Sequence, residues 1–176
     1  MTEALASEGD SPNAGSCRLL LLRHGIAEEA GADQPDAARA LTPAGRRRTR
    51  AVLQRLVQRQ LGCERLFSSP LVRARQTAEL AVAAQLAASL ELAEALAPGG
   101  DALAWLQGLG AQQQLAGQTL ALVGHEPDLS VLAATLIGAQ PGSLQLKKAG
   151  VAVLQWWPEQ ARARLLLLMS PKLLLP

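Results

Sequence analysis

The chain has no tyrosine, one phenylalanine and three tryptophans, so aromatics are only 2% of its 176 residues. Single-stranded nucleic acid is held by stacking bases on aromatic side chains, and a formal charge of +2 is small for a protein that neutralises a phosphate backbone. No nucleic-acid partner is expected. Cysteine and histidine are equally scarce, two of each, and CxxC, HExxH and DxDxDG spacings are missing. No metal and no cofactor is expected. Cys17 and Cys63 lack a secretory context and read as buried, reduced thiols. Nor is there a long apolar run: 165–169 is core-strand length, against about 20 residues for a membrane-spanning helix, so no membrane partner is expected. The first sixteen residues are acidic and rich in Ser, Gly and Ala, without the basic start and apolar stretch of a leader peptide. Residues 1–16 read as a mobile tail, 17–176 as one domain, and the cytoplasm as its location.

What is abundant is aliphatic. Apolar residues make up 49% of the chain, so the core must be Leu, Ala and Val packing, and the length suits a single domain. Short apolar runs alternate with amphipathic stretches. Strands are expected at 19–22, 64–67, 90–92, 119–123, 149–156 and 162–168, the third short and at an edge. Helices are expected after Thr42-Pro43, at 71–87, 102–109 and 129–137. Pro158-Glu159-Gln160 suits a hairpin turn. Trp156 and Trp157 alternate faces, one to the core and one to the rim. The pattern is α/β: a three-layer α/β/α domain whose mostly parallel sheet is closed by antiparallel C-terminal strands.

Three of these elements end in residues that carry chemistry. Leu19-Leu-Leu-Leu-Arg23-His24-Gly25 delivers a cation, an imidazole and a glycine at a strand's carboxyl end, where α/β sheets place ligands. Arginine beside histidine makes a poor metal ligand and a good way to hold a phosphate against a nucleophile. Gly25 admits a sharp turn and a close approach to a bound group. Leu120-Ala-Leu-Val-Gly124 repeats the arrangement, followed by His125-Glu126-Pro127, with the proline where a helix starts. A single histidine in such a place would read as a core or capping residue; two in matching contexts point to function. In Leu66-Phe-Ser-Ser69-Pro-Leu-Val-Arg73-Ala-Arg-Gln-Thr77, Ser68 and Ser69 can cap, and Pro70 fits a first helical turn. Arg73 then adds a bidentate phosphate donor at a helix N-terminus, with Thr77 on the same face. Arg75 suits a solvated surface. The arginines of the 43–59 helix mostly fall off its apolar stripe (Val52, Leu53, Leu56, Val57) and read as a solvated face.

Arg23-His24-Gly25, Ser69-Pro-Leu-Val-Arg73-Ala-Arg-Gln-Thr77 and Val123-Gly-His125-Glu126-Pro together resemble the histidine phosphatase (phosphoglycerate mutase-like) superfamily. Arg39-Ala-Leu-Thr42-Pro-Ala-Gly45, Leu96-Ala-Pro-Gly-Gly-Asp101 and Leu146-Lys-Lys-Ala-Gly-Val151 resemble its short SixA-type phosphohistidine phosphatase branch. The likeness runs from about Arg18 to Ser170, with the motifs in family order. It implies that His24 attacks phosphorus and carries the phosphoryl group. It implies too that Arg23, Arg73 and His125, the last as imidazolium, surround the transferring group. Gly25, Arg39 and Glu126 become candidate substrate contacts, although a charge in the first turn of a helix accounts for Glu126 as well. Larger relatives use an acidic residue to protonate the leaving oxygen. Glu28, Glu29, Glu94 and Asp101 are candidates and none is singled out; SixA-type enzymes are thought to need none. Ile26 stands where many relatives are polar.

Only about thirty residues separate the second helix from the second histidine motif, and they must also supply a helix. A cap over a small substrate does not fit there, which favours a phosphoryl group displayed on another protein. The expected activity is therefore metal-independent removal of phosphate from a histidine-phosphorylated signalling (phosphotransfer) protein. A general small-molecule phosphomonoesterase or mutase with the same chemistry, and a phosphate-binding regulator without turnover, are the alternatives.

Overall fold

The computed structural model describes residues 15–31 and 35–175. Residues 1–14 of the expected tail lie outside the described residues. Its last residue, Ser16, is buried, and the Ser16 carbonyl accepts the Gly117 N–H at 2.8 Å.

Six strands form one sheet: β1 (Cys17–Arg23), β2 (Arg65–Ser68), β3 (Glu91–Leu92), β4 (Thr119–Gly124), β5 (Val151–Trp157) and β6 (Arg162–Met169). Their order is β3-β2-β4-β1-β5-β6. The first four run parallel, while β5 is antiparallel to β1 and β6 to β5. The helices are α1 (Pro43–Gln58), α2 (Val72–Ala83), α3 (Ala102–Gln112), α4 (Asp128–Leu136) and the short α5 (Pro171–Leu174). This is the three-layer α/β/α arrangement that the alternation of elements implied.

The leucine run of β1 follows from its central place. Leu19 and Leu21 pack with Leu106 of α3, Leu129 and Leu132 of α4, and Trp156. Leu20 and Leu22 face the other way, toward Val52, Leu53 and Leu56 of α1 and Ala74, Ala78 and Ala81 of α2. A strand covered on both faces has no polar side to show, and each buried leucine contributes about 1.5–3 kcal/mol.

Local signals explain most boundaries. Thr42 caps α1, its hydroxyl accepting the Gly45 N–H at 2.9 Å, with Pro43 in the first turn. Helix α2 begins at Val72, beyond Pro70, and stops at Ala83, short of the expected residue 87. Its end is closed by Gln85 at φ 62 and a bond from Leu86 N–H back to the Ala81 carbonyl. That closure usually takes glycine, so a glutamine there left no sign in the sequence. Helix α5 is too short to leave a periodicity. One tryptophan was expected at the rim, but Trp156 is fully buried and Trp157 is only 8% exposed. The Arg162 and Arg164 guanidinium groups lie 5.2 and 5.9 Å from its ring centroid. Both cysteines are free; Cys17 is buried and Cys63 half-buried, and burial pushes their thiols up to about 11 and about 12.

Candidate active site

Parallel strand register builds the site. Arg23 of β1 partners Gly124 of β4, and Ser68 of β2 partners Val123 of β4. The next residues, His24, His125 and Ser69, therefore emerge side by side at the carboxyl ends of three adjacent strands. Backbone bonds hold these exits: His24 N–H to the Gly124 carbonyl at 3.1 Å and Ser69 N–H to the Val123 carbonyl at 2.9 Å. The two imidazole centroids lie 5.1 Å apart with their planes at 53°.

His24 is oriented by its own neighbour. Its Nδ1 lies 2.7 Å from the Gly25 carbonyl, and a carbonyl only accepts, so the ring proton sits on Nδ1 and the Nε2 lone pair is left for attack. Burial, followed by the charges of Arg73 and Arg23 and the neighbouring His125, pulls His24 down to about 3 against the Gly25 hydrogen bond. His24 is thus neutral at physiological pH.

His125 is held from the opposite side. Its Nε2 lies 2.8 Å from Ser69 Oγ, and that hydroxyl already accepts the Leu71 N–H at 3.3 Å. With Ser69 donating its own proton to Nε2, the His125 ring proton sits on Nδ1. That Nδ1 is buried and has no hydrogen-bond partner among the described residues. Burial, then Arg73, pulls His125 down to about 4, so these surroundings make it neutral. The imidazolium implied by the resemblance would require further negative charge beside it. A neutral ring in this tautomer still donates from Nδ1.

The arginines complete the set. Arg23 Nη1 donates to the Leu146 carbonyl at 2.9 Å, while its Nε is buried without a partner among the described residues. Burial lowers the Arg23 guanidinium and the Glu126 charge opposes this. Arg73, in the first turn of α2, is 5% exposed. Its Nη1 donates to the Asp36 carbonyl at 2.7 Å, and its Nη2 pairs with Asp36 Oδ2 at 2.9 Å. Two buried orphan donors, Arg23 Nε and His125 Nδ1, lie beside an unprotonated His24 Nε2. An unpaired buried donor costs about 1–3 kcal/mol, and an anion with several acceptor oxygens would recover it.

Close packing holds the loop behind His24. The Gly25 N–H donates to Thr77 Oγ1 at 3.1 Å, and that hydroxyl donates to the Arg73 carbonyl at 2.8 Å, so the loop after His24 and the arginine share one threonine. A Cβ on Gly25 would run into Thr49 of α1, and one on Gly45 into the Ile26 carbonyl. Both glycines are there for the α1 contact.

The other candidates stand further off. Arg39 pairs with Asp36 Oδ1 at 2.7 Å and donates from Nε to the Glu28 carbonyl at 2.7 Å. Asp36 links it to Arg73. The Glu126 carboxylate accepts from Ser130 Oγ at 2.7 Å, that hydroxyl accepts the Leu146 N–H at 3.2 Å, and Leu146 in turn holds Arg23. Glu126 thus supports Arg23 from behind. Asp101 caps α3, accepting the Ala104 N–H at 2.9 Å, and Glu28, Glu29 and Glu94 are exposed. Asp36 itself went unremarked in the sequence, although an acid three residues ahead of Arg39 was a readable sign. Among the described residues no group of three or more His, Cys, Asp or Glu side chains could hold a metal ion, and no helix is long and apolar enough to cross a membrane.

Residues 19–97 match the sequence model of the histidine phosphatase superfamily (branch 1). A curated relative, an uncharacterised protein of Picosynechococcus sp., is 42% identical over 163 residues, covering 90% of this chain and 99% of that one. Among solved structures, the protein histidine phosphatase SixA complexed with tungstate superposes with a TM-score of 0.77 at 28% identity, covering 89% of this chain and 99% of that one. A protein of Nakamurella multipartitia assigned as phosphohistidine phosphatase SixA superposes with a TM-score of 0.70, also at 28% identity, over 90% and 98% of the two chains.

Proposed function

Because the chain belongs to the histidine phosphatase superfamily, in its SixA-type branch, we propose that this phosphatase removes the phosphoryl group from phosphohistidine on a signalling protein. The observation that carries the reading is the Nδ1–H of His24 on the Gly25 carbonyl at 2.7 Å, which leaves Nε2 as an oriented, neutral nucleophile among cationic donors.

In the first step His24 Nε2 forms a bond to phosphorus as the phosphorus–nitrogen bond of the substrate breaks. The leaving imidazole, already carrying a proton on its far nitrogen, departs neutral, so no carboxylic acid has to protonate it. Arg23, Arg73 and His125 Nδ1–H share the charge on the equatorial oxygens, the part of phosphoryl transfer that a protein can stabilise most. In the second step water attacks the phosphohistidine, phosphate leaves, and His24 Nε2 recovers its lone pair.

A protein-borne substrate is supported by what lies between α2 and β4. Residues 84–118 carry β3, the turn Glu94–Leu96 and α3, and no connection between them exceeds seven residues, which is short for a cap over a small metabolite.

The test is phosphate release from a histidine-phosphorylated phosphotransfer domain beside a panel of phosphate monoesters, with wild type and His24→Ala. Preference for phosphohistidine, with loss of about a thousandfold or more in His24→Ala and no trapped phosphoenzyme in that variant, is the expected result. Turnover of monoesters alone would leave the chemistry and remove the signalling role. Binding without turnover, retained in His24→Ala, would make the protein a phosphate-binding regulator.

A further inference from the structure

Helix α1 carries five arginines, Arg46, Arg47, Arg48, Arg50 and Arg55, and no acidic residue. Four of them fall in its first two turns. A helix has its positive dipole end there, so cations in the first turn are disfavoured, and Arg46 and Arg50 repel each other at i, i+4 spacing. Proteins ordinarily relieve such a cluster with carboxylates. Among the described residues none of these four arginines makes an ion pair, and Arg48 Nε is buried with no hydrogen-bond partner. The arrangement is electrostatically unfavourable until an anion arrives.

There is room for one. A cavity of about 580 Å³ opens between the start of α1 and α5, lined by Ala44, Arg47, Arg48, Pro171, Lys172 and Leu175. Three of those six carry positive charge and none is acidic. It also lies on the catalytic side of the molecule. The Thr42 N–H donates to the Ile26 carbonyl at 3.0 Å, so α1 starts against the loop two residues past His24. The exposed Lys147 and Lys148 sit just ahead of Ala149, whose N–H bonds the His24 carbonyl at 3.1 Å.

We propose that the arginine-bearing start of α1, with Lys172, docks an acidic segment of the phosphoprotein whose phosphohistidine enters the site. The inference rests on the protein-substrate reading above. An acidic protein segment fits better than nucleic acid or a lipid surface for two reasons. Arg47, Arg48 and Lys172 line one cavity at the start of the helix that packs against the loop after His24, and the chain's few aromatics leave little on which bases could stack.

The test uses two synthetic peptides phosphorylated on one histidine and identical except that one carries four glutamates where the other carries four glutamines. Free phosphohistidine is the third substrate. Wild type is expected to favour the glutamate peptide by about tenfold in kcat/KM at low salt, mainly through KM, with the preference fading as salt screens it. Arg47→Gln/Arg48→Gln/Lys172→Gln should abolish the preference and leave free phosphohistidine unchanged. Arg47→Glu, at an exposed position, serves as a second variant if the triple variant folds poorly. Equal rates on the two peptides with wild type, or an equal loss on all three substrates in the variants, would overturn the docking site alone. Wild type inactive on both peptides and on free phosphohistidine would overturn the functional reading with it. Tighter arginine-dependent binding of a DNA duplex or of anionic lipid vesicles than of the glutamate peptide would assign the surface to that partner and reject the proposal.

Discussion

Asp36 Oδ2 lies 2.9 Å from Arg73 Nη2, and the other oxygen of the same carboxylate lies 2.7 Å from Arg39 Nη1. One acidic side chain therefore joins a buried arginine at the start of α2 to an exposed one ahead of α1. The hydrogen bonds from Arg39 and Arg73 hold the Asp36 carboxyl below its ordinary range, so it is ionised wherever the protein works. Since Arg73 also donates to the Asp36 backbone carbonyl, Asp36 sets the direction of the guanidinium fork.

Asp36→Ala is accordingly expected to lower kcat/KM by about tenfold through misplacement of Arg73. Asp36→Asn, whose amide oxygen can still accept, should keep most of the activity. The pair is exposed on the Asp36 side and contributes little to stability, so thermal melts of both variants should match wild type. An unaffected Asp36→Ala enzyme would show that Arg73 is positioned by α2 alone.

Both histidines titrate far below the usual value near 6.5, at about 3 for His24 and about 4 for His125. The chain has only two histidines, so their NMR signals can be followed directly, and neither should move between pH 8 and about 5. The sign of the effect on stability follows. Below about 6.5 the unfolded chain takes up protons that the folded chain refuses. Stability is therefore full above that pH and falls as pH drops toward about 4 and about 3. His24→Asn/His125→Asn should flatten this acid loss in denaturant melts. Inorganic phosphate, placing negative charge beside the ring, should raise the His125 value; no response to phosphate would count against its contact with the phosphoryl group.

Gly45 and Gly108 should behave in opposite ways when changed to alanine. A Cβ at Gly45 meets the Ile26 backbone, whereas one at Gly108, inside α3, meets nothing within 4 Å. Gly45→Ala is expected to cost about 1–3 kcal/mol and to lower activity by shifting the loop behind His24. Gly108→Ala should stabilise by roughly 0.5–1 kcal/mol through helix propensity. Denaturant midpoints measure both; a neutral Gly45→Ala would mean that the α1 contact yields easily.

Legibility differed from residue to residue. Leu19 to Leu22 and Thr42-Pro43 announced their elements because apolar period, cap and proline act within a few residues, whereas α2 starts at Val72, past Pro70, with no side-chain cap. The end of α2 was invisible because Gln85 closes it in a conformation that gives glutamine no signature. Arg39 and Arg73 were readable as arginines, but their link through Asp36 depends on Asp36 lying against the start of α2. Ser69 looked like a cap and proved to be the partner of His125, which sequence separation hides.

The sequence by itself determined which residues could do phosphoryl chemistry and where in the chain they stand, because strand ends, glycines and helix starts are set by local physics. Tertiary structure decided the rest. The registers of β1 on β4 and β2 on β4 put His24, His125 and Ser69 side by side, and burial made both imidazoles neutral. The hydrogen bond to the Gly25 carbonyl then fixed the ring proton of His24 on Nδ1, and the Ser69 hydroxyl took up Nε2 of His125. Tautomer, charge and mutual distance depend on what surrounds a side chain in space, and the order of residues does not specify those surroundings until the sheet has closed.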